Sequence, residues 1–184
     1  MSPVWDMNER LAFSLGEREV FDIKVLKEAI PGCASIIKTD EKTDKAGIDY
    51  VATLKGGAKI NIDAKARDKG SARFWHHGEP DLCLERLSVC PEKQGGNEKI
   101  GWTLSQSSNV DMILYTFAPT EYHGFYLIPF QHLRMAFLRN GCEWVEKYGY
   151  KFQRSNGWRS KAVFVPASIV LNAVIDVMQG KVVI

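Results

Sequence analysis

The chain has 184 residues, 45% of them hydrophobic and 25% charged, with a formal net charge of +2. Such a length and apolar content suit one domain with a sizeable core, and no low-complexity linker or internal repeat divides it. Charge this close to neutral does not demand global attraction to nucleic acid, so any phosphate-binding surface has to be local.

Residues 8–30 read as helix, with Val20, Ile23, Leu26 and Ile30 as an apolar stripe and Pro31-Gly32 as the stop. Strands follow at 48–54 and 58–66, joined by the hairpin-type break Lys55-Gly56-Gly57. Arg67 and the run Arg73-Phe74-Trp75-His76-His77 mix cations with aromatics in a loop. Leu82 to Val89 reads as a third strand, and Lys99 to Ser108 as a short helix holding Trp102. Val110 to Phe117 is β-prone along its whole length, as buried strands are. A turn around Pro119 and Gly124 leads to a fifth strand over Phe125 to Phe130. A helix from Phe130 to Asn140 is expected to stop at Gly141, with one more turn over Glu143 to Tyr148. Residues 149–161 then read as a basic loop, Ala162 to Val165 as a small strand, and Pro166 as the opening of a last helix that runs through Met178.

Cys33, Cys83, Cys90 and Cys142 lack CxxC spacing, so reduced thiols are expected rather than a zinc site or disulfide frame. Residues 1–10 hold Asp6 and Glu9 and no apolar core of signal-peptide length. No run reaches the roughly 18 apolar residues of a membrane span. A cytoplasmic protein outside the membrane is expected.

The chemistry concentrates on the first two strands. Period-two alternation puts Ile60, Ile62 and Ala64 on one face and Asn61, Asp63 and Lys65 on the other. The hairpin brings Asp49 toward Asp63. Two carboxylates that share a divalent cation, with an ammonium beside them, form a minimal device for metal-assisted phosphodiester hydrolysis. Aspartate is depleted from strands, which singles out Asp63 in its β-branched run. Glu19 lies on the preceding helix where it can face a site beside the sheet, with Glu17 as the substitute. Glu85 on the third strand reads as an ion-pair partner, His76 and His77 as polar surface, and Trp102, Trp144 and Phe117 as core. The cations Arg67, Arg73, Lys151, Arg154, Arg159 and Lys161, with Trp158 among them, form the candidate nucleic-acid surface, since cations neutralise phosphate and a ring can stack on a base.

Gly47-Ile48-Asp49 on one strand, Asp63-Ala64-Lys65 on the next and an acidic helix in front together resemble the PD-(D/E)XK nuclease superfamily. Ile48 stands where that family's name has proline. The resemblance implies an α/β (α+β) restriction-endonuclease-like fold, a central mixed β-sheet flanked by helices in a single domain, with its core over residues 8–130 and a helical, basic extension over 131–184. It implies a Mg²⁺-dependent deoxyribonuclease, with Mn²⁺ as a substitute, in a phage, defence or DNA-processing setting. Asp49, Asp63 and the backbone carbonyl of Ala64 would ligate the metal, Glu19 would complete its shell, and Lys65 would orient water or stabilise the phosphorane. DNA is the expected partner, with RNA open, and a homodimer suits an enzyme that must cut two strands. The rival readings are a nuclease-like module that binds nucleic acid or protein without turnover, and an unrelated α/β protein with a chance Asp-x-Lys.

Overall fold

The computed structural model describes residues 17–40, 47–67, 78–90, 98–106, 108–117, 124–155 and 158–181. The chain is α+β, and its contacts divide the described residues into two units, one from 17–67 with 110–127 and one from 78–109 with 128–181.

In the first unit, α1 (Glu17–Ala29) leads to a five-stranded mixed sheet. Its strands are β1 (Cys33–Lys38), β2 (Tyr50–Leu54), β3 (Lys59–Arg67), β6 (Met112–Phe117) and β7 (Phe125–Pro129), in the order β1-β2-β3-β6-β7. The unit boundary falls inside β7, after Leu127. The β2–β3 hairpin forms where its glycines lie. Gly57 takes φ 84°, a region open to a residue without Cβ, and the Leu54 N–H closes the turn on the Ala58 carbonyl at 2.8 Å. β3 is antiparallel to β2 and parallel to β6. A parallel pair needs a long crossover, and the chain between these two strands contributes to the second unit.

One face of this sheet packs on α1. Val25, Leu26 and Ile30 meet Tyr50, Ala52, Ile62, Ala64 and Leu114 in one apolar cluster. The helix is rotated from the predicted stripe: Val20 is 70% exposed, and Asp22 is fully buried. The Tyr50 hydroxyl donates to Asp22 Oδ2 at 3.1 Å, which allows a carboxylate to occupy an apolar face. An apolar-only pattern rejects aspartate from a buried stripe, hence the wrong phase. β1 is a further departure, since Cys33–Lys38 carried no strand expectation.

The second unit holds β4 (Asp81–Cys90), β5 (Lys99–Ile100), a 3-10 turn at Trp102–Leu104, α2 (Phe130–Tyr148), β8 (Tyr150–Ser155), β9 (Trp158–Pro166) and α3 (Ala167–Met178). Its strands form a separate antiparallel sheet in the order β5-β4-β9-β8. The third strand pairs with β9. Two expectations change here. The short helix expected over 99–108 is a two-residue strand and a turn. The basic loop at 149–161 is a hairpin, with Phe152 in register with Lys161 and Arg154 with Arg159.

Gly141 does not end its helix. It is buried in mid-helix, where an added Cβ would lie 3.5 Å from the Phe137 ring, and α2 runs on to Tyr148. Trp144, 3% exposed, anchors the next turn with its ring 6.1 Å from that of Phe137. Burial of a large ring beyond the glycine outweighs the intrinsic cost of glycine in a helix, about 1 kcal/mol. The expected last helix forms as read, behind Pro166. Among the described residues no helix is long and apolar enough to cross a membrane.

Candidate functional site

The β2–β3 pairing proper ends at Tyr50 opposite Ile62. Just beyond it Asp49 is held at both backbone groups: its N–H donates to the Ile62 carbonyl at 2.9 Å, and its carbonyl accepts the Thr39 N–H at 2.9 Å. With the backbone so fixed, the Asp49 side chain turns back on β3, and Oδ2 accepts the Ala64 N–H at 2.6 Å. A carboxylate thus takes the place that the next β2 carbonyl would fill. In a paired strand the N–H and C=O of one residue leave on the same edge. The Ala64 carbonyl therefore leaves on the edge that Asp49 occupies.

Asp63 and Lys65 alternate to the face away from α1, next to Ile113 and Tyr115 in the β3–β6 register. Those neighbours are 0% and 2% exposed, and Asp63 itself is 5% exposed, a strand aspartate within apolar cover rather than on a solvated face. Its compensation is local. Lys65 Nζ lies 2.6 Å from Asp63 Oδ1, and the Lys65 side chain keeps about a third of its surface in contact with solvent.

Burial pushes the Asp49 carboxyl above its usual range, the bond from the Ala64 N–H draws it back, the Asp63 charge raises it again and Lys65 lowers it. Asp63 thus lies close enough for its charge to act on the Asp49 carboxyl. Charged together they repel, and a hard dication placed between them would replace the repulsion with attraction. The donor set of two carboxylates and one strand carbonyl consists of oxygens throughout, as Mg²⁺ or Mn²⁺ requires. Among the described residues no cluster of three or more His, Cys, Asp or Glu side chains forms a metal site, so a cation here would draw on two acids.

The expected helix acid is engaged in an ion pair. Glu19 Oε2 is 3.1 Å from Lys38 Nζ, and Lys38 is in register with Tyr50, the residue that faces α1. The Glu17 side chain lies outside what is described, and of the described acids on the helix it is Asp22 that is buried; its signal in the sequence was its i, i+3 and i+4 spacing to Val25 and Leu26, the residues that pack on the sheet.

The expected nucleic-acid residues fall in both units. Arg67 ends β3 in the first unit, and Arg73 lies outside the described residues. In the second unit Lys151 is exposed on β8, while Arg159 and Lys161 are half-buried on β9. Arg154 and Trp158 occupy positions in the same hairpin, their side chains outside what is described. The Arg159 guanidinium stands 5.1 Å from the Phe152 ring, and Lys161 Nζ stands 4.0 Å from the Tyr150 ring. Phe152 and Tyr150 were missed because the segment was read as a loop; their alternation with Lys151 and Gln153 was the available signal.

Comparison of the chain with protein-family models, with curated proteins and with solved structures finds no match in any of the three.

Proposed function

We propose that the first unit is a metal-dependent nuclease that hydrolyses phosphodiester bonds in DNA, with Mg²⁺ as its cation and Mn²⁺ as a substitute. The observation that carries this reading is the meeting of Asp49, Asp63 and Lys65 at the open end of the β2–β3 pairing, with the Ala64 N–H tied to Asp49 at 2.6 Å and Lys65 to Asp63 at 2.6 Å. A bound dication supplies positive charge against that growing on the scissile phosphate and makes an attacking water more acidic.

The remaining roles belong to the protein. Asp49 and Asp63 would hold the cation, and the Ala64 carbonyl would offer a third oxygen on the same edge. Ile113 and Tyr115 keep water from the inner side of the pair, so the charges act in a medium of lower dielectric than bulk solvent. Lys65 presents three donors on a flexible stem. One stays on Asp63, and the others can reach a phosphate oxygen or the water that attacks it. Glu19 is engaged with Lys38, and the reading stands on two acids without it.

The test is a cleavage panel of linear, circular, branched and single-stranded DNA with Mg²⁺, Mn²⁺ or EDTA. The parent chain should cut with either cation and not in EDTA. Asp63→Asn and Lys65→Met should each lose on the order of 10²-fold or more while keeping the parent circular dichroism. Full activity in both variants would overturn the assignment. Binding without cleavage by the parent would transfer the fold to the class of non-catalytic modules.

A further inference from the structure

We infer that the β8–β9 hairpin of the second unit is a binding surface for single-stranded nucleic acid. It goes beyond the hydrolytic reading and does not need it, because a chain that cuts nothing would still bind through it.

Cations and rings alternate across three neighbouring strands. Arg86 of β4 stands 5.8 Å from the Tyr150 ring, with Nη1 2.5 Å from its hydroxyl. Lys161 of β9 stands 4.0 Å from the Tyr150 ring and 5.9 Å from the Phe152 ring. Arg159 stands 5.1 Å from the Phe152 ring on its other flank. The row therefore reads Arg86, Tyr150, Lys161, Phe152, Arg159.

Pairs of this kind can stabilise a hairpin by themselves, by about 0.5–1 kcal/mol each at exposed sites. Two features take this row further. Phe152 remains 53% exposed between its two cations, so its ring is not absorbed by the fold. Lys161 and Arg159 also sit two residues apart on β9, and strand residues i and i+2 are separated by about 7 Å, comparable to the step between phosphates in an extended strand. A polymer that alternates anionic phosphate with a flat base complements a surface that alternates cation with ring. Duplex bases are stacked on one another and offer no free face to Phe152, whereas unpaired bases do. An acidic peptide would use the cations and leave the rings idle.

The experiment measures fluorescence anisotropy of labelled oligothymidylate, and of a duplex of equal length, with the full chain in EDTA so that no cleavage occurs. The parent should bind the single strand more tightly than the duplex. Phe152→Ala should weaken single-strand binding about tenfold, the cost of one lost stacking contact, with little effect on the duplex. Phe152→Leu, which keeps the apolar bulk without the π face, should weaken it similarly. Lys161→Gln should reduce the slope of log affinity against log salt by about 0.7, one phosphate contact on a single strand. Phe152→Ala binding as tightly as the parent, equal affinity for the duplex, or equal competition by polyglutamate would each overturn the inference. Asp63→Asn separates the two readings, since it should abolish cleavage and leave this binding intact.

Discussion

Asp49 does two separable things in the first unit, and two substitutions at that position should part them. Its Oδ2 accepts the Ala64 N–H at 2.6 Å, and its charge lies partly buried against Asp63. Asp49→Asn keeps an acceptor for that N–H and removes the charge. Asp49→Ala removes both and leaves a backbone donor at a half-buried strand end without its acceptor. A hydrogen bond to a charged group contributes about 1.5–3 kcal/mol, and the neutral amide recovers about 1 of it. The alanine variant should thus be less stable than the asparagine variant by about 1 kcal/mol, a gap in Tm of roughly 2–4 °C for a chain of this size.

The pH dependence follows from the same group. Burial first, and the Asp63 charge after it, raise the Asp49 pKa above 3.8 in the folded chain. Its contribution therefore favours the native state below that value and is lost as pH climbs through the raised pKa. At neutral pH without cation, Asp49→Asn should melt at or above the parent, and the parent should gain on it as the pH falls. Saturating Mg²⁺ or Mn²⁺, at about 100 times Kd, should stabilise the parent by about 2.7 kcal/mol, or roughly 5–11 °C, and should do so for neither variant. Thermal unfolding followed by circular dichroism, with EDTA or cation across pH 4–8, reads all of this. Equal melting of the two variants in EDTA would refute the bond to Ala64, and an undiminished cation shift in Asp49→Asn would refute the shared metal site.

Other outcomes are expected from single contacts. Glu19→Gln breaks an ion pair whose partners are each about a third exposed; it should cost less than about 1 kcal/mol in thermal unfolding and leave any cleavage rate unchanged. Tyr50→Phe withdraws the hydroxyl from buried Asp22 and should destabilise by about 1.5–3 kcal/mol in urea unfolding. Gly141→Ala places a Cβ at an ordinary 3.5 Å from the Phe137 ring, so the gain in helix propensity should dominate and raise stability by about 0.5–1 kcal/mol. Lys65→Met should lower stability as well as cleavage, because it leaves the Asp63 carboxylate buried without its partner; partial exposure of the Lys65 side chain keeps the cost nearer about 1–2 kcal/mol than the full cost of breaking a buried pair.

The elements legible in the chain were those written in a short window. Lys55-Gly56-Gly57 marks its hairpin because only a residue without Cβ takes Gly57's φ cheaply. Alternation along 59–67 separates Ile62 from Asp63, and Pro166 opens α3 where its missing N–H costs nothing. The proximity of Asp49 to Asp63 was legible for the same reason, because a tight hairpin makes neighbours of residues whose separation in sequence is small.

What tertiary structure alone decided is how those pieces partner and what they bury. β3 lies parallel to β6, about fifty residues on, and β4 pairs with β9 across nearly eighty; no local periodicity carries such information, since strands of similar composition compete equally for an edge. The phase of α1 turned on the Tyr50 hydroxyl that makes a buried Asp22 tolerable, and the length of α2 on the Phe137 and Trp144 rings that carry it past Gly141. Burial of Asp63 beside Ile113 and Tyr115 likewise depends on a strand far along the chain. Backbone preference is a property of neighbours in sequence, whereas desolvation is a property of neighbours in space, and it is desolvation first of all that raises the Asp49 pKa.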